Sequence, residues 1–244
     1  MGISVVLLAY KEEENLKMLL PQIICEIKKC GEPYEILVID TAEPMDQTEA
    51  VCRSFGACYI NQEEKGFGGA FRTGIKYARM DKFLILDSDG SHPVERIPEL
   101  YQKFSNGRYD VVIGSRYVDG GKTEDRLISV VMSRILNVVF RLCIGVNAKD
   151  ISTDYRMYHT EQLKKVQLVC ENYDVLQEVL LKLKLQKRGQ DLRVGEVPIL
   201  FQKRKYGESK RQLMRFSISY VKTLIRLTYM RIFRRKSIDS GISA

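Results

Sequence analysis

Tryptophan is absent from this 244-residue sequence, and histidine occurs only twice. Chemistry built on histidine clusters, including most zinc sites and histidine general bases, is disfavoured on that ground. The six cysteines (Cys25, Cys30, Cys52, Cys58, Cys143 and Cys170) are scattered and form no C-x-x-C pair. A disulfide framework is therefore not expected, and a reducing compartment fits. No uninterrupted apolar run approaches the roughly 20 residues needed to span a bilayer. The chain opens on a strand-like run, Ile3–Ala9, without the basic flank or cleavage site of a signal peptide. The expectation is a protein that is neither secreted nor membrane-spanning by itself. Internal repeats and low-complexity segments are also missing.

What is present is an ordinary globular composition, 45% hydrophobic and 29% charged, with a formal net charge of +8. The length suits one substantial domain with a short appendage. An excess of positive charge favours an anionic partner: nucleic acid, a phosphate-bearing substrate or anionic lipid. The basic residues crowd the last third, from Lys182 to Lys236.

Short apolar runs alternate with longer helical stretches through the first half. Ile3–Ala9, Tyr34–Ile39, Phe83–Leu86 and Val111–Gly114 read as buried strands, and Glu12–Lys29, Gly69–Met80 and Val94–Phe104 as helices between them. This rhythm predicts an α/β fold with a mostly parallel, Rossmann-like sheet flanked by helices. Further on, Leu127–Val146 has a helical period but is unusually apolar, interrupted by Arg134 and Arg141. It suits a core helix and a helix lying in a membrane interface equally. Tyr173–Lys187 reads as an amphipathic helix and Leu192–Phe201 as a strand. Leu213–Lys236 mixes apolar residues with Arg215, Lys222, Arg226, Arg231, Arg234, Arg235 and Lys236, as a basic amphipathic helix for anionic headgroups does; a helix packed on the domain is the alternative. The predicted division is 1–212 for the main domain and 213–244 for the basic helix and tail.

Acidic and basic clusters fall just past the predicted strands, where ligand-binding loops of parallel sheets lie. Asp87-Ser88-Asp89 follows Phe83–Leu86. Two carboxylates at a strand end suit a hard divalent ion that also recruits diphosphate oxygens, or form an acidic turn capping the helix that begins near Pro93. Asp40 ends the second strand in the same way. Lys65-Gly66-Phe67-Gly68-Gly69 is a loop whose backbone N–H groups suit a phosphate, or a plain glycine-rich connection. Gly114-Ser115-Arg116 and the run Arg204–Lys210 supply cations for phosphate recognition, or, for the second, a solvated basic face.

Taken in order, these motifs resemble the family-2 glycosyltransferases of the GT-A (nucleotide-diphospho-sugar transferase) fold, in particular the dolichyl-phosphate mannosyltransferases and their bacterial polyprenyl-phosphate relatives. The string that carries the resemblance is Tyr10-Lys11-Glu12-Glu13-Glu14-Asn15-Leu16, Asp40, Asp87-Ser88-Asp89-Gly90-Ser91-His92-Pro93, Gly114-Ser115-Arg116-Tyr117, Gln177-Glu178, Gly195–Ile199 and Arg204–Lys210. The resemblance implies inverting, metal-dependent transfer of a hexose from a nucleoside-diphosphate sugar, GDP-mannose-like or UDP-glucose-like, to a polyprenyl phosphate. It places Tyr10, Glu12, Asp40 and Asp87 in the nucleotide pocket. It gives Mg²⁺ or Mn²⁺ to Asp87 and Asp89, with Ser91 where the family often has a glutamine near the metal. Arg116, Ser133, Arg204 and Lys210 belong with the acceptor phosphate, and Asp89, Arg116 and Arg204 with catalysis. His92 reads as a structural residue beside the metal loop.

Several positions depart from the pattern. Asp40 is followed by Thr41 instead of a second acid. Ser129 stands one helical turn before Ser133 where a basic residue is expected, with Arg126 displaced in register. Asp154 occupies a place where the family tends to have a small residue. The implied setting is cytoplasmic, peripheral on the inner face of a membrane, with a membrane-anchoring subunit or a homo-oligomer as further partners and no nucleic acid. Two rivals stand beside this reading. One is transfer to a hydroxyl acceptor in surface-polysaccharide synthesis, with Asp154 or Glu178 as the base. The other is a non-catalytic nucleotide-sugar-binding or membrane-adaptor protein.

Overall fold

The computed structural model describes residues 1–187, 190–203 and 213–239, with side chains of the final helix from 220 to 233. Nine strands occur among them: β1 (Ile3–Leu8), β2 (Tyr34–Asp40), β3 (Cys58–Asn61), β4 (Lys82–Asp87), β5 (Val111–Ser115), β6 (Lys122–Thr123), β7 (Arg156–His159), β8 (Val194–Pro198) and β9 (Leu200–Phe201). The helices are α1 (Glu13–Lys28), α2 (Thr48–Ser54), α3 (Gly66–Tyr77), α4 (Ile97–Ser105), α5 (Leu127–Ile144), α6 (Thr160–Lys164), α7 (Val175–Gln186) and α8 (Leu213–Asp239).

Seven strands form one sheet in the order β3-β2-β1-β4-β7-β5-β8. The central strands are apolar at successive positions, so both faces must be covered. On one face Val6, Phe83 and Ile85 pack with Phe71, Phe140, Leu176 and Leu180 from α3, α5 and α7. On the other, Val5, Leu7, Leu84 and Leu86 meet Leu16, Leu20, Ile97 and Phe104 from α1 and α4. All pairings are parallel except those of β7, which runs antiparallel between β4 and β5.

The expected mostly parallel sheet is present, with five elements the sequence reading did not include: α2, β3, β6, β7 and α6. Arg-Met-Tyr-His is a poor strand signature, yet Arg156 is fully buried. The predicted strand Leu192–Phe201 is divided into β8 and β9 at Ile199. There the Ile199 N–H donates to the Ser115 carbonyl, and its own carbonyl accepts from Lys122, starting the small β6–β9 ladder.

The apolar segment at Leu127 resolves in an unexpected way. Only Asn137, Phe140 and Ile144 of α5 are buried. Leu127, Ile128, Val131, Met132, Ile135, Val138 and Leu142 face outwards. By length and composition alone α5 has what a membrane span needs. Eighteen residues reach only about 27 Å, however, and polar bonds tie one side of the helix to the domain: Asn137 donates to Asp150 and accepts the Ile151 N–H. Helix α8 lies against it. The Phe140 and Tyr220 rings are 5.7 Å apart, and Arg231 Nη1 bonds the terminal carbonyls of Leu142 and Cys143 at 2.6 and 3.0 Å. Along α8, Val221, Ile225, Tyr229, Ile232 and Phe233 are exposed.

Candidate active site

The C-terminal ends of β2, β1 and β4 sit side by side, because Leu8 pairs with both Ile39 and Asp87. The loops that follow therefore share one edge, as parallel strands require. Tyr10 and Glu12 lie just past β1; Tyr10 is exposed and Glu12 is buried, its carboxylate accepting from Asn15 Nδ2 at 2.5 Å. Lys11 between them has φ of 58°, the left-handed region that a non-glycine residue adopts at a cost.

Asp40 ends β2 almost wholly buried. Its carboxylate accepts the Thr41 N–H at 2.8 Å and the Tyr59 hydroxyl at 3.0 Å. Burial nonetheless raises its pKa above the ordinary value, with these two hydrogen bonds pulling the other way.

Beyond β4 the chain turns tightly through Asp87–His92, with Gly90 at φ of 76°. The Ser88 hydroxyl donates to the Leu8 carbonyl at 2.7 Å, fastening this loop to β1. Asp89 Oδ1 accepts the Ser91 N–H at 2.9 Å, and the Ser91 hydroxyl is 3.5 Å from Asp87 Oδ2. His92 lies beneath, stacked on Tyr155 and edge-on to Phe201. Its Nδ1 accepts the Asp87 N–H at 3.0 Å. A backbone N–H can only donate, so the ring proton of neutral His92 is on Nε2, which sits 3.3 Å from Thr153 Oγ1, 3.6 Å from Asp154 Oδ1 and 3.9 Å from Asp87 Oδ2. Complete burial lowers the His92 pKa, against the raising influence of Asp87 and Asp89. Both nitrogens are thus engaged, and His92 packs beneath Asp87 and beside Asp154.

Arg116, after β5, is the centre of a second cluster. Nε and Nη2 contact the two oxygens of Asp150 at 2.7 and 3.0 Å. Nη2 also donates to Ser133 Oγ at 3.3 Å and Ser152 Oγ at 2.7 Å. Burial alone would lower the Arg116 pKa and raise that of Asp150. Their mutual bonding outweighs it, so Arg116 moves up and Asp150 down. The carboxylate neighbour of Nη1 among the described residues is Asp125, at 3.7 Å. Ser133, on α5, is thus brought together with Arg116.

Arg204 and Lys210 lie outside the described residues. The chain leading to them is anchored: the Gln202 N–H donates to the Ser91 carbonyl at 2.9 Å, and the Lys203 N–H to Glu124 at 3.1 Å.

Two sequence expectations change. The Gly68 N–H is taken by the Glu171 carbonyl at 2.8 Å, and a Cβ on Gly68 would come within 2.0 Å of the Cys170 carbonyl oxygen. This glycine serves close packing of α3 against residues 170–171 and offers no N–H to a phosphate. Glu178 is fully buried, accepts the N–H groups of Val169 and Cys170 at 2.9 and 2.8 Å, and pairs with Lys182. It is a structural carboxylate and cannot serve as a base for a hydroxyl acceptor. Asp150, Asn137 and Tyr59, which hold the site residues, were not singled out beforehand. Asp150 stands four residues before Asp154, but no local spacing pairs it with Arg116.

The profile of Glycosyl transferase family 2 matches residues 4–167. The chain belongs to this family. It is a glycosyltransferase of the GT-A fold. It is 34% identical over 223 residues to dolichol-phosphate mannosyltransferase of Pyrococcus furiosus, a match covering 86% of this chain and 59% of that relative. To polyprenol monophosphomannose synthase of Mycolicibacterium smegmatis it is 30% identical over 221 residues, covering 84% and 79% of the two chains. Among solved structures, glucosyl-3-phosphoglycerate synthase from Mycobacterium tuberculosis, in complex with Mn²⁺, UDP and glucosyl-3-phosphoglycerate, shares the fold of this glycosyltransferase with a TM-score of 0.68 at 19% identity. That match covers 93% of this chain and 80% of the other.

Proposed function

We propose that this glycosyltransferase moves a hexose from a nucleoside-diphosphate sugar to a polyprenyl phosphate at a membrane surface. The observation that carries the proposal is the double use of α5. Ser133 on its inner side bonds Arg116 at the candidate acceptor site, while its outer side presents the apolar stripe from Leu127 to Leu142. A lipid tail leaving the Arg116 cluster would emerge beside a surface suited to the headgroup–acyl boundary. The basic composition of α8 and its exposed apolar residues extend that surface and suit an anionic leaflet. The names of the Pyrococcus and Mycolicibacterium relatives, which pair mannose with dolichol and polyprenol phosphates, support the same acceptor class.

In this reading Tyr10, Glu12 and Asp40 line the nucleotide pocket. Asp87 and Asp89 hold Mg²⁺ or Mn²⁺: their hard carboxylate oxygens at a strand end fit such an ion. When bound, it neutralises charge developing on the departing diphosphate. Arg116, fixed by Asp150 and Ser152, presents Nη1 to the acceptor phosphate beside Ser133, with Arg204 and Lys210 completing that site. A phosphate oxygen is anionic near neutral pH and needs no strong base, so positioning is the main task of these side chains. The burial of Glu178 in structural bonds argues against a hydroxyl acceptor activated from that position. The six cysteines are free, which suits a cytoplasmic, inner-face location.

The test is transfer from a panel of GDP- and UDP-sugars, with Mn²⁺, to a short polyprenyl phosphate, read as sugar in the organic extract with Asp89→Ala as the blank. Lipid-linked product from one donor, lost in the variant, is the expected result. Donor hydrolysis with nothing partitioning into the organic phase would overturn the lipid acceptor, and absence of any turnover would overturn the proposed reaction.

A further inference from the structure

Among the described residues Arg116 is the cation assigned to the acceptor site, yet its charge is already matched. Nε and Nη2 contact both oxygens of Asp150, and a second carboxylate, Asp125, stands 3.7 Å from Nη1. One guanidinium beside two carboxylates leaves no excess positive charge for a phosphate monoester, whose own charge at neutral pH is about −1.5 to −2. Ser129, one turn of α5 before Ser133, brings no charge either. A phosphate held here calls for a cation that no carboxylate has neutralised.

Arg134 is such a cation. It follows Ser133, whose hydroxyl accepts from Arg116 at 3.3 Å. The guanidinium carbons of Arg116 and Arg134 lie 5.0 and 5.1 Å from the centre of the same ring, that of Tyr117. Both are within cation–π range, so one half-buried tyrosine draws the two side chains to one place. Arg134 is exposed and makes no ion pair or side-chain hydrogen bond with a described residue. A guanidinium held by a ring alone keeps its N–H fork for a ligand. At about 100° per residue around the helix, Arg134 falls between Ser133 and Asn137 on the domain side and Val131 and Val138 outside. Asn137 is buried against Asp150, whereas Val131 and Val138 are 49% and 51% exposed. A phosphate at Arg134 would thus sit where the polar site ends and the apolar stripe begins, as the headgroup end of a lipid requires.

We propose that Arg134 binds the acceptor phosphate, supplying the positive charge that Asp150 withdraws from Arg116. This rests on the reading of the acceptor as a polyprenyl phosphate. In that arrangement Arg116 fixes the position of the phosphate and Arg134 offsets its charge, while the Tyr117 ring keeps the two guanidiniums together.

The test is steady-state transfer by the full chain, with the donor that the parent uses, to a water-soluble, short-chain polyprenyl phosphate. Three variants are compared: Arg134→Gln, Arg134→Lys and Arg141→Gln. Arg141, two turns further along the same flank of α5, controls for a general loss of surface charge. Arg134→Gln should raise the acceptor KM by about tenfold or more, the loss expected of a charge-assisted contact to phosphate. Its donor KM, kcat and melting midpoint should stay close to those of the parent, because the contact is made in the ground state as well. Arg134→Lys, which keeps the charge, should recover most of the loss, and Arg141→Gln should stay within about twofold of the parent. An acceptor KM in Arg134→Gln less than about fivefold above the parent would overturn the proposal. So would an equal rise in Arg141→Gln, which would make the effect one of surface charge. A donor KM raised as much as the acceptor KM would also overturn it, as the mark of a disturbed fold. Donor hydrolysis by the parent with no transfer to the polyprenyl phosphate would overturn the acceptor reading itself, and this assignment with it.

Discussion

Arg116 grips Asp150 through three bonds, from Nε, Nη2 and its own backbone N–H, at 2.7, 3.0 and 3.1 Å. The aspartate has no exposed surface, and Ser152 and Asn137 bond the same carboxylate. The arrangement joins β5, α5 and the loop before β7 at one charge pair, and it sets the direction of the guanidinium edge that remains.

Removing one partner leaves a buried charge unmatched, which costs about 3–5 kcal/mol. Arg116→Ala should therefore lose stability on that scale in chemical denaturation. The pH dependence follows from Asp150, whose folded pKa is depressed by Arg116 after overcoming burial. Its contribution is fully present above the unfolded carboxylate value of about 4 and is lost as pH falls through the lower folded value. Denaturation midpoints of the parent should fall with acidification below about pH 4. Asp150→Asn should start lower and lack this component; parallel pH profiles for the two proteins would contradict the assignment.

Asp89→Ala should abolish most transfer while leaving the fold intact, because Asp89 lies in a surface loop outside the core. Loss of metal-assisted charge stabilisation amounts to several kcal/mol, about a thousandfold in rate. Chelation of the parent enzyme should reproduce the loss, and added Mn²⁺ should reverse it. A variant retaining near-parental turnover would refute the role of this residue.

Glu178→Gln discriminates between structural and catalytic carboxylates. Loss of charge-assisted bonds to Lys182 and two backbone N–H groups should lower stability by roughly 1–3 kcal/mol. Turnover per folded molecule should persist, whereas removal of a general base would cost about 10²–10⁴-fold. Melting curves combined with active-fraction-corrected rates make the comparison.

Ile128 on α5 and Ile225 on α8 are 79% and 66% exposed, so charge at these places should barely affect folding. The double variant Ile128→Glu, Ile225→Glu should lower partitioning onto anionic vesicles by about tenfold or more. Flotation assays read this directly, with hydrolysis of a soluble donor as a control for an intact active site. Unchanged flotation would remove these helices from the membrane contact.

The edge on which the site is built was legible locally. An apolar run closing on an acid or an arginine, repeated at Asp40, Asp87 and Arg116, needs only the strand–helix rhythm to place those residues along one side of a parallel sheet. The sequence by itself thus determined the fold class, the order of the motifs and which charged residues stand at these three strand ends. The tertiary structure decided what they touch. Asp150 reaches Arg116, and Asp154 reaches Asp87, because β7 enters between β4 and β5 in the opposite direction and its first residues therefore arrive where the other strands end. Four residues as polar as Arg156–His159 carry no pattern that announces such a strand; its place comes from pairing on both sides. The face of α5 was undecidable for a related reason. Period and composition are the same for a core helix and an interfacial one, and only the docking of Asn137, Phe140 and Ile144 against the domain leaves the remaining apolar residues facing outwards.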